Sequence, residues 1–402
     1  GYSGKTVWLE QYLKKPGEQF LKQLLFNGPF SLPMLSYKAV CKKDEGTYNT
    51  VVSTIENNAK GILLGDTTFS IESGDESLRD SELKFLDQGI FSLKFTDKHP
   101  AIRNRFYFNA DGAVLELLRT YEDEMETVVL ISTPSLRDAT QDDLCYGCAY
   151  GVRSLVDGIG KGSISDLYPK YIQLHRYLTK NGRLNNVNLV SYYNDDIESY
   201  LSEFLYVILH EVGHEWSTYA ARTEKRQTPF GISMVQNPLG ILDDRYGHWG
   251  YVSNNNDSLM AYGPAQLIEN PDGSFTPVFK GRTYVFNDFD LYFMGVLSPK
   301  NVQSTFSVSN PLSNININRG NVSFKGIKKI ITVNDIIRLD GQRTPTTGIS
   351  INNPTHNVRV TFLILQGPTG TEQELSGAKN LVKRAVAELP SRWVNATKGL
   401  SS

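Results

Sequence analysis

The chain has 402 residues, of which 40% are hydrophobic and 21% charged, enough for one large core or two ordinary ones and inconsistent with intrinsic disorder. A formal net charge of −2, with no long run of like charge, excludes a nucleic-acid footprint and a polybasic membrane anchor, leaving proteins, peptides or small molecules as partners. No apolar run approaches the ~20 residues that cross a bilayer, so no membrane-spanning segment is expected.

In chain order, residues 24–118 give short β-type runs at 50–55, 61–64, 68–71, 90–95 and 105–108, separated by Gly, Asn, Asp and Pro clusters. The segment 76–87 reads equally well as helix. This pattern predicts a β-rich, sandwich-like accessory domain over residues 1–122. After Glu122 the texture changes, to an apolar strand at 127–132, a helix at 168–178, a strand at 187–193 and a long helix from about Ile197. Beyond Asp244 the chain is rich in Gly, Asn and Pro as far as Pro311, before strand-like runs at 328–333 and 358–365 and a terminal helix at 372–389. The expected class is α+β, with the β-rich N-terminal domain followed by a catalytic domain over residues 123–402.

Three cysteines, Cys41, Cys145 and Cys148, include one Cys-x-x-Cys without the second pair that a four-thiolate zinc site needs. A disulfide between two of them, or buried thiols, is expected, with no catalytic role. The chain begins Gly1-Tyr2-Ser3 without a charged segment ahead of an apolar one, as a processed chain would.

The helix from Ile197 carries the chemistry. Asp195 and Glu198 are spaced as a capping box, and Ile197, Leu201, Phe204, Leu205, Ile208, Val212 and Tyr219 fall on one stripe at about 100° per residue. His210 and His214, four residues apart, share a face beside that stripe. Two imidazoles one turn apart can both reach a Zn²⁺ at about 2.0–2.1 Å, leaving positions for a third ligand and water. Glu211, next to the first histidine, can take a proton from a metal-activated water as it attacks a carbonyl, then pass it to the leaving amine.

Of the remaining histidines, His99, His175, His248 and His356, the third ligand is assigned to His248, in the glycine-flanked turn Tyr246-Gly247-His248-Trp249-Gly250. A carboxylate, Asp243, Asp244 or Asp290, is the alternative, since zinc also accepts His₂-carboxylate sets. The run Asn254-Asn255-Asn256-Asp257 offers several oxygens close together and is a secondary candidate for Ca²⁺, though without EF-hand spacing.

His210-Glu211-Val212-Gly213-His214, the downstream His248, and then Ser258-Leu259-Met260-Ala261-Tyr262 resemble the metzincin zinc metallopeptidases. The resemblance implies that Met260 lies in a turn beneath the metal and that Tyr262, as in astacins and serralysins, helps bind the metal and stabilise the oxyanion. The sequence departs from the short form of the pattern, with Ser217 and Ala220 where Gly and His are usual. The late His248 looks instead like the leishmanolysin-like arrangement, in which an insertion precedes the third histidine. Residues 288–295 resemble a stretch found after the active site in some secreted microbial His-Glu-x-x-His proteins. In that stretch Asp290 is a candidate to accept the second ring N–H of a zinc histidine, with a capping or turn role as the alternative, and Met294 is a second candidate for the methionine under the metal.

The reading that follows is an extracellular zinc endopeptidase acting on proteins or peptides. Its rival is an adhesion or glycan- or protein-binding protein in which the zinc domain is a degenerate scaffold. Against degeneracy stand the intact His210, Glu211 and His214.

Overall fold

The computed structural model describes residues 6–14, 21–29, 46–56, 59–71, 81–96, 110, 113, 114, 117, 121, 125–140, 147–152, 156–160, 184–192, 197–221, 223–228, 231–242, 248–255, 257–261, 266–278, 283–309, 323–350 and 353–401. Strands β1 (Thr6–Lys14), β2 (Leu21–Pro29), β3 (Gly46–Glu56) and β4 (Ala59–Ile71) make an antiparallel sheet in the order β2-β1-β3-β4. The runs predicted at 61–64 and 68–71 are one continuous strand, and 105–108 lies outside the described residues.

The segment that read as either helix or strand contains β5 (Ser81–Asp87), which turns at Gly89, in the left-handed region at φ 68°, into β6 (Ile90–Phe95). This hairpin was expected to belong with residues 1–122. Instead β6 pairs in parallel with a strand near the other end of the chain, Phe362 opposite Ile90 and Leu365 opposite Leu93. Residues 81–95 are therefore part of the sheet that carries the candidate site.

That sheet runs through β7 (Thr127–Ser132), followed by α1 (Pro134–Thr140), the edge strand β8 (Gly147–Val152), and β9 (Asn186–Ser191). The predicted helix at 168–178 and the capping pair at Asp195 lie outside the described residues. Next come α2 (Ile197–Gly213), the hairpin β10 (Thr223–Thr228) and β11 (Gly231–Gln236), and the hairpin β12 (Gln266–Glu269) and β13 (Phe275–Val278). The last elements are α3 (Asp288–Phe293), β14 (Thr305–Ser309) paired with β15 (Ile327–Ile331), α4 (Val333–Asp340), β16 (Val360–Gln366) and α5 (Glu372–Ala396). The six-stranded order is β5-β6-β16-β7-β9-β8, with β6, β16, β7 and β9 mutually parallel and an antiparallel strand at each edge. The class is mixed α and β around a mixed sheet, as an α+β chain requires.

The central strands are apolar on both faces because both faces are covered. Val128, Leu130, Val187, Leu189, Leu363 and Leu365 enter one core; Val129, Ile131, Val190, Phe362 and Ile364 enter the other, beneath α2 and α5. On α2 the predicted stripe is buried from Leu201 to Val212, with Phe204, Leu205 and Ile208 fully so. The helix stops at Gly213, where Trp216 and Ser217 both donate to the Gly213 carbonyl and Thr218 turns to φ 67°. Tyr219 is thus buried but not on the helical stripe. The terminal helix runs further than predicted, through Pro390 to Ala396, and opens on a capping box between Thr371 and Glu374.

Candidate metal centre

Three segments meet at the C-terminal end of α2. His210 lies in its last turn, His214 directly follows Gly213, and His248 comes from the loop between β11 and β12. The three ring centroids form a near-equilateral triangle, 4.9 Å from His210 to His214 and 5.0 Å from His248 to each. One ligand atom from each lies within 4.8 Å of the other two, and among the described residues this is the one such cluster of potential metal ligands.

The hydrogen bonding of His210 fixes its tautomer. Its Nδ1 lies 2.8 Å from the Leu259 carbonyl, which can only accept, so Nδ1 carries the proton and Nε2 keeps its lone pair. That Nε2 is 3.0 Å from Nε2 of His248. Two nitrogens on a tetrahedral zinc at 2.0–2.1 Å would stand about 3.3 Å apart, so the donor set fits a single small cation with a few tenths of an ångström of adjustment. Burial, and secondarily the neighbouring His248, lower His210 to a pKa of about 4, which keeps it in the neutral form that a metal needs.

Glu211 is buried beside the triangle, with its Oε2 4.0 Å from His214 Nε2. Burial pushes its carboxyl up to about 8, against the opposing effect of a hydrogen bond from the Ala149 backbone. Ala149 lies on the edge strand β8, which presses close to α2 here: a Cβ on Gly147 would fall 2.4 Å from Cγ1 of Val207 and 3.2 Å from Oε1 of Glu211. Asn186 on β9 donates from Nδ2 to the carbonyls of Glu211, at 3.2 Å, and Val212, at 3.4 Å. It thereby satisfies carbonyls that the end of a helix leaves open.

Met260 is fully buried directly against the end of the helix. A Cβ at Gly213 would meet its Sδ at 2.5 Å and Cε1 of Phe286 at 2.9 Å. The glycine between Val212 and His214 is what lets this turn approach the two helix histidines. Met294 instead caps α3, its N–H bonded to the Asp290 carbonyl. Tyr262, Asp243 and Asp244 lie outside the described residues.

Asp290 takes the capping role, one of its two expected roles, and not that of ring partner to a histidine. Its carboxylate accepts from Ser217 Oγ, Trp249 Nε1, Ser258 Oγ and the Asn287 backbone, and the ring partner of His210 is the Leu259 carbonyl. The reason is its position at N3 of α3, where it closes a capping box with Asn287 and points into the interior.

In the Asn254–Asp257 run, the Asn254 side chain accepts from the Leu267 N–H and Asp257 Oδ2 from Gln266, while the Asn255 carbonyl accepts from Asn287. These oxygens brace the loop. Cys148 is disulfide-bonded. Among the described residues no helix is long and apolar enough to cross a membrane.

The sequence reading missed Leu259, Ala149, Gly147 and Asn186. Three of these act through backbone groups or through lacking a side chain, which residue type does not advertise. Only Asn186, a polar residue opening an apolar strand, left a visible signal. No protein-family model, curated protein or solved structure matches the chain.

Proposed function

We propose that this chain is a zinc-dependent peptidase in which His210, His214 and His248 hold the metal and Glu211 is the general base. The observation that carries the reading is the closed histidine triangle with a buried carboxylate at its side, the His210 proton being held away from the centre by the Leu259 carbonyl. A zinc ion bound there supplies Lewis acidity, polarising a scissile carbonyl and acidifying water. Glu211 takes the proton from water as the new carbon–oxygen bond forms, and returns it to the amine nitrogen as the carbon–nitrogen bond breaks. The positive charge of the centre opposes the burial that raises the Glu211 carboxyl, favouring the ionised base.

The resemblance to metzincins, with Met260 as the supporting methionine and Tyr262 as an oxyanion partner, belongs to this proposal, as does zinc as the identity of the metal. A division between the β-rich region of β1–β4 and a zincin-like domain that includes residues 81–95 belongs to it as well. An extracellular location is supported by the disulfide at Cys148, since disulfides persist in oxidising compartments.

The test is cleavage of a mixed peptide library, read by mass spectrometry, with zinc-supplied wild type and Glu211→Gln side by side. Cleavage by wild type alone is expected. Equal cleavage by both would refute Glu211 as base, and none by either with zinc bound would favour the binding-protein alternative.

A further inference from the structure

His248 arrives on a loop, not on a helix, and a ligand on a loop needs something to hold it. The residue after it supplies the attachment. The Trp249 backbone N–H donates to the Met260 carbonyl at 3.1 Å, and its indole Nε1–H donates to Oδ1 of Asp290 at 2.9 Å. The turn that carries Leu259, whose carbonyl orients His210, is tied to the same carboxylate through Ser258, with Oγ 2.5 Å from Oδ2. Ser258 Oγ also accepts the Met260 N–H at 3.0 Å. The segment just beyond His214 is attached through Ser217, and α3 through the Asn287 N–H at 2.9 Å. Four chain segments, two of them carrying or immediately following a zinc ligand in the proposed centre, thus converge on one fully buried side chain.

The chemistry of this convergence is specific. A carboxylate offers about four lone-pair sites, and here four donors fill them: two hydroxyls, an indole N–H and a backbone N–H. An asparagine would have nearly the same shape, but it would replace one acceptor oxygen by an N–H₂ that faces donors. We propose that Asp290 is the positioning residue of the metal centre, holding His248 through Trp249 and His210 through the Ser258-Leu259 turn; this rests on the three-histidine reading. It touches neither metal nor substrate and acts by pre-organising the ligands.

The test is a double-mutant cycle read as zinc affinity, by competition of Zn²⁺ with a chelating indicator, on the full chain carrying Asp290→Asn, His248→Ala or both. Asp290→Asn is expected to weaken zinc binding roughly 10–100-fold, as loss of a supporting partner does, and to cost much less in the His248→Ala background, because that ligand is already gone. Trp249→Phe, which deletes one N–H and keeps the ring bulk, should behave likewise, and it carries the test if Asp290→Asn fails to fold. Equal losses in both backgrounds would overturn the hold on His248, and unchanged affinity would overturn the positioning role altogether, while leaving the metal site standing. If wild type binds no zinc, both readings fall. A metal-free arm reads the strut by itself: the Trp249 indole N–H, assigned through Trp249→Phe, should exchange slowly with solvent in wild type and quickly in Asp290→Asn. Equal exchange rates would contradict the strut.

Discussion

The two halves of the histidine centre are built by different physics. The helix half, His210 and Glu211 on α2 with His214 at its end, is set by local periodicity: an apolar stripe of Leu201, Phe204, Leu205 and Ile208 buries one side, and the ligands follow beside it. The loop half, residues 248–261, has no such period. It is held by long-range bonds onto Asp290, by the Trp249 to Met260 backbone bond, and by Met260 packing against Gly213. A helix carries its ligands at fixed spacing wherever it packs, whereas a loop carries them only while its anchors hold. Damage to the two halves should therefore read out differently.

The largest effects belong to the helix half. His210→Ala should abolish stoichiometric zinc binding, whereas Glu211→Gln should keep the metal and lose hydrolysis by about 10²–10⁴-fold, the range for removing a general base. Zinc content and peptide hydrolysis measured on the same preparations separate the two, and loss of metal in Glu211→Gln would mean that the carboxylate is a ligand.

Gly213→Ala probes the seam between the halves. The added methyl meets Met260 Sδ at 2.5 Å and the Phe286 ring at 2.9 Å, an overpacking that should cost about 1–3 kcal/mol in urea denaturation. It should also weaken zinc binding by displacing the turn. A silent substitution would show that the Met260 turn does not need its close approach.

Asn186→Ala is a smaller test of the helix half alone. It removes the donor to the Glu211 and Val212 carbonyls and should cost about 1 kcal/mol, with the loop and its Trp249 to Asp290 bond undisturbed.

The smallest effect is a pH dependence of the metal-free chain. Burial raises the Glu211 carboxyl to about 8, so the folded chain keeps a proton that the unfolded chain releases near 4.5. This group's contribution to stability is present below about pH 4.5 and lost as pH rises towards 8. Glu211→Gln does not titrate, and its melting temperature relative to wild type should rise between pH 5 and pH 8 in the presence of chelator. A constant difference would show that Glu211 is solvated.

What the sequence revealed follows the same division. The stripe on α2, the strands predicted at 127–132 and 358–365, and the spacing of His210 and His214 about Glu211 were legible because periodicity and spacing are local properties. The placement of β16 between β6 and β7 was not, since it joins residues some 230 to 270 positions apart, and no local pattern encodes which strands become neighbours. The same blindness assigned 81–95 to the N-terminal region. The capping role of Asp290 was legible from its place in the 288–295 run, but its other partners depend on how Ser217, Trp249 and Ser258 are brought together in space. The Leu259 carbonyl, a backbone atom, leaves no signature at all.

The most direct test of the account is the zinc stoichiometry of the full chain after equilibrium dialysis, in wild type and in His210→Ala, His214→Ala and His248→Ala. One zinc per chain in wild type, lost in His210→Ala and His214→Ala and sharply weakened in His248→Ala, is the predicted result. Stoichiometric zinc that survives unchanged in His248→Ala would contradict the three-histidine centre and move the third ligand elsewhere.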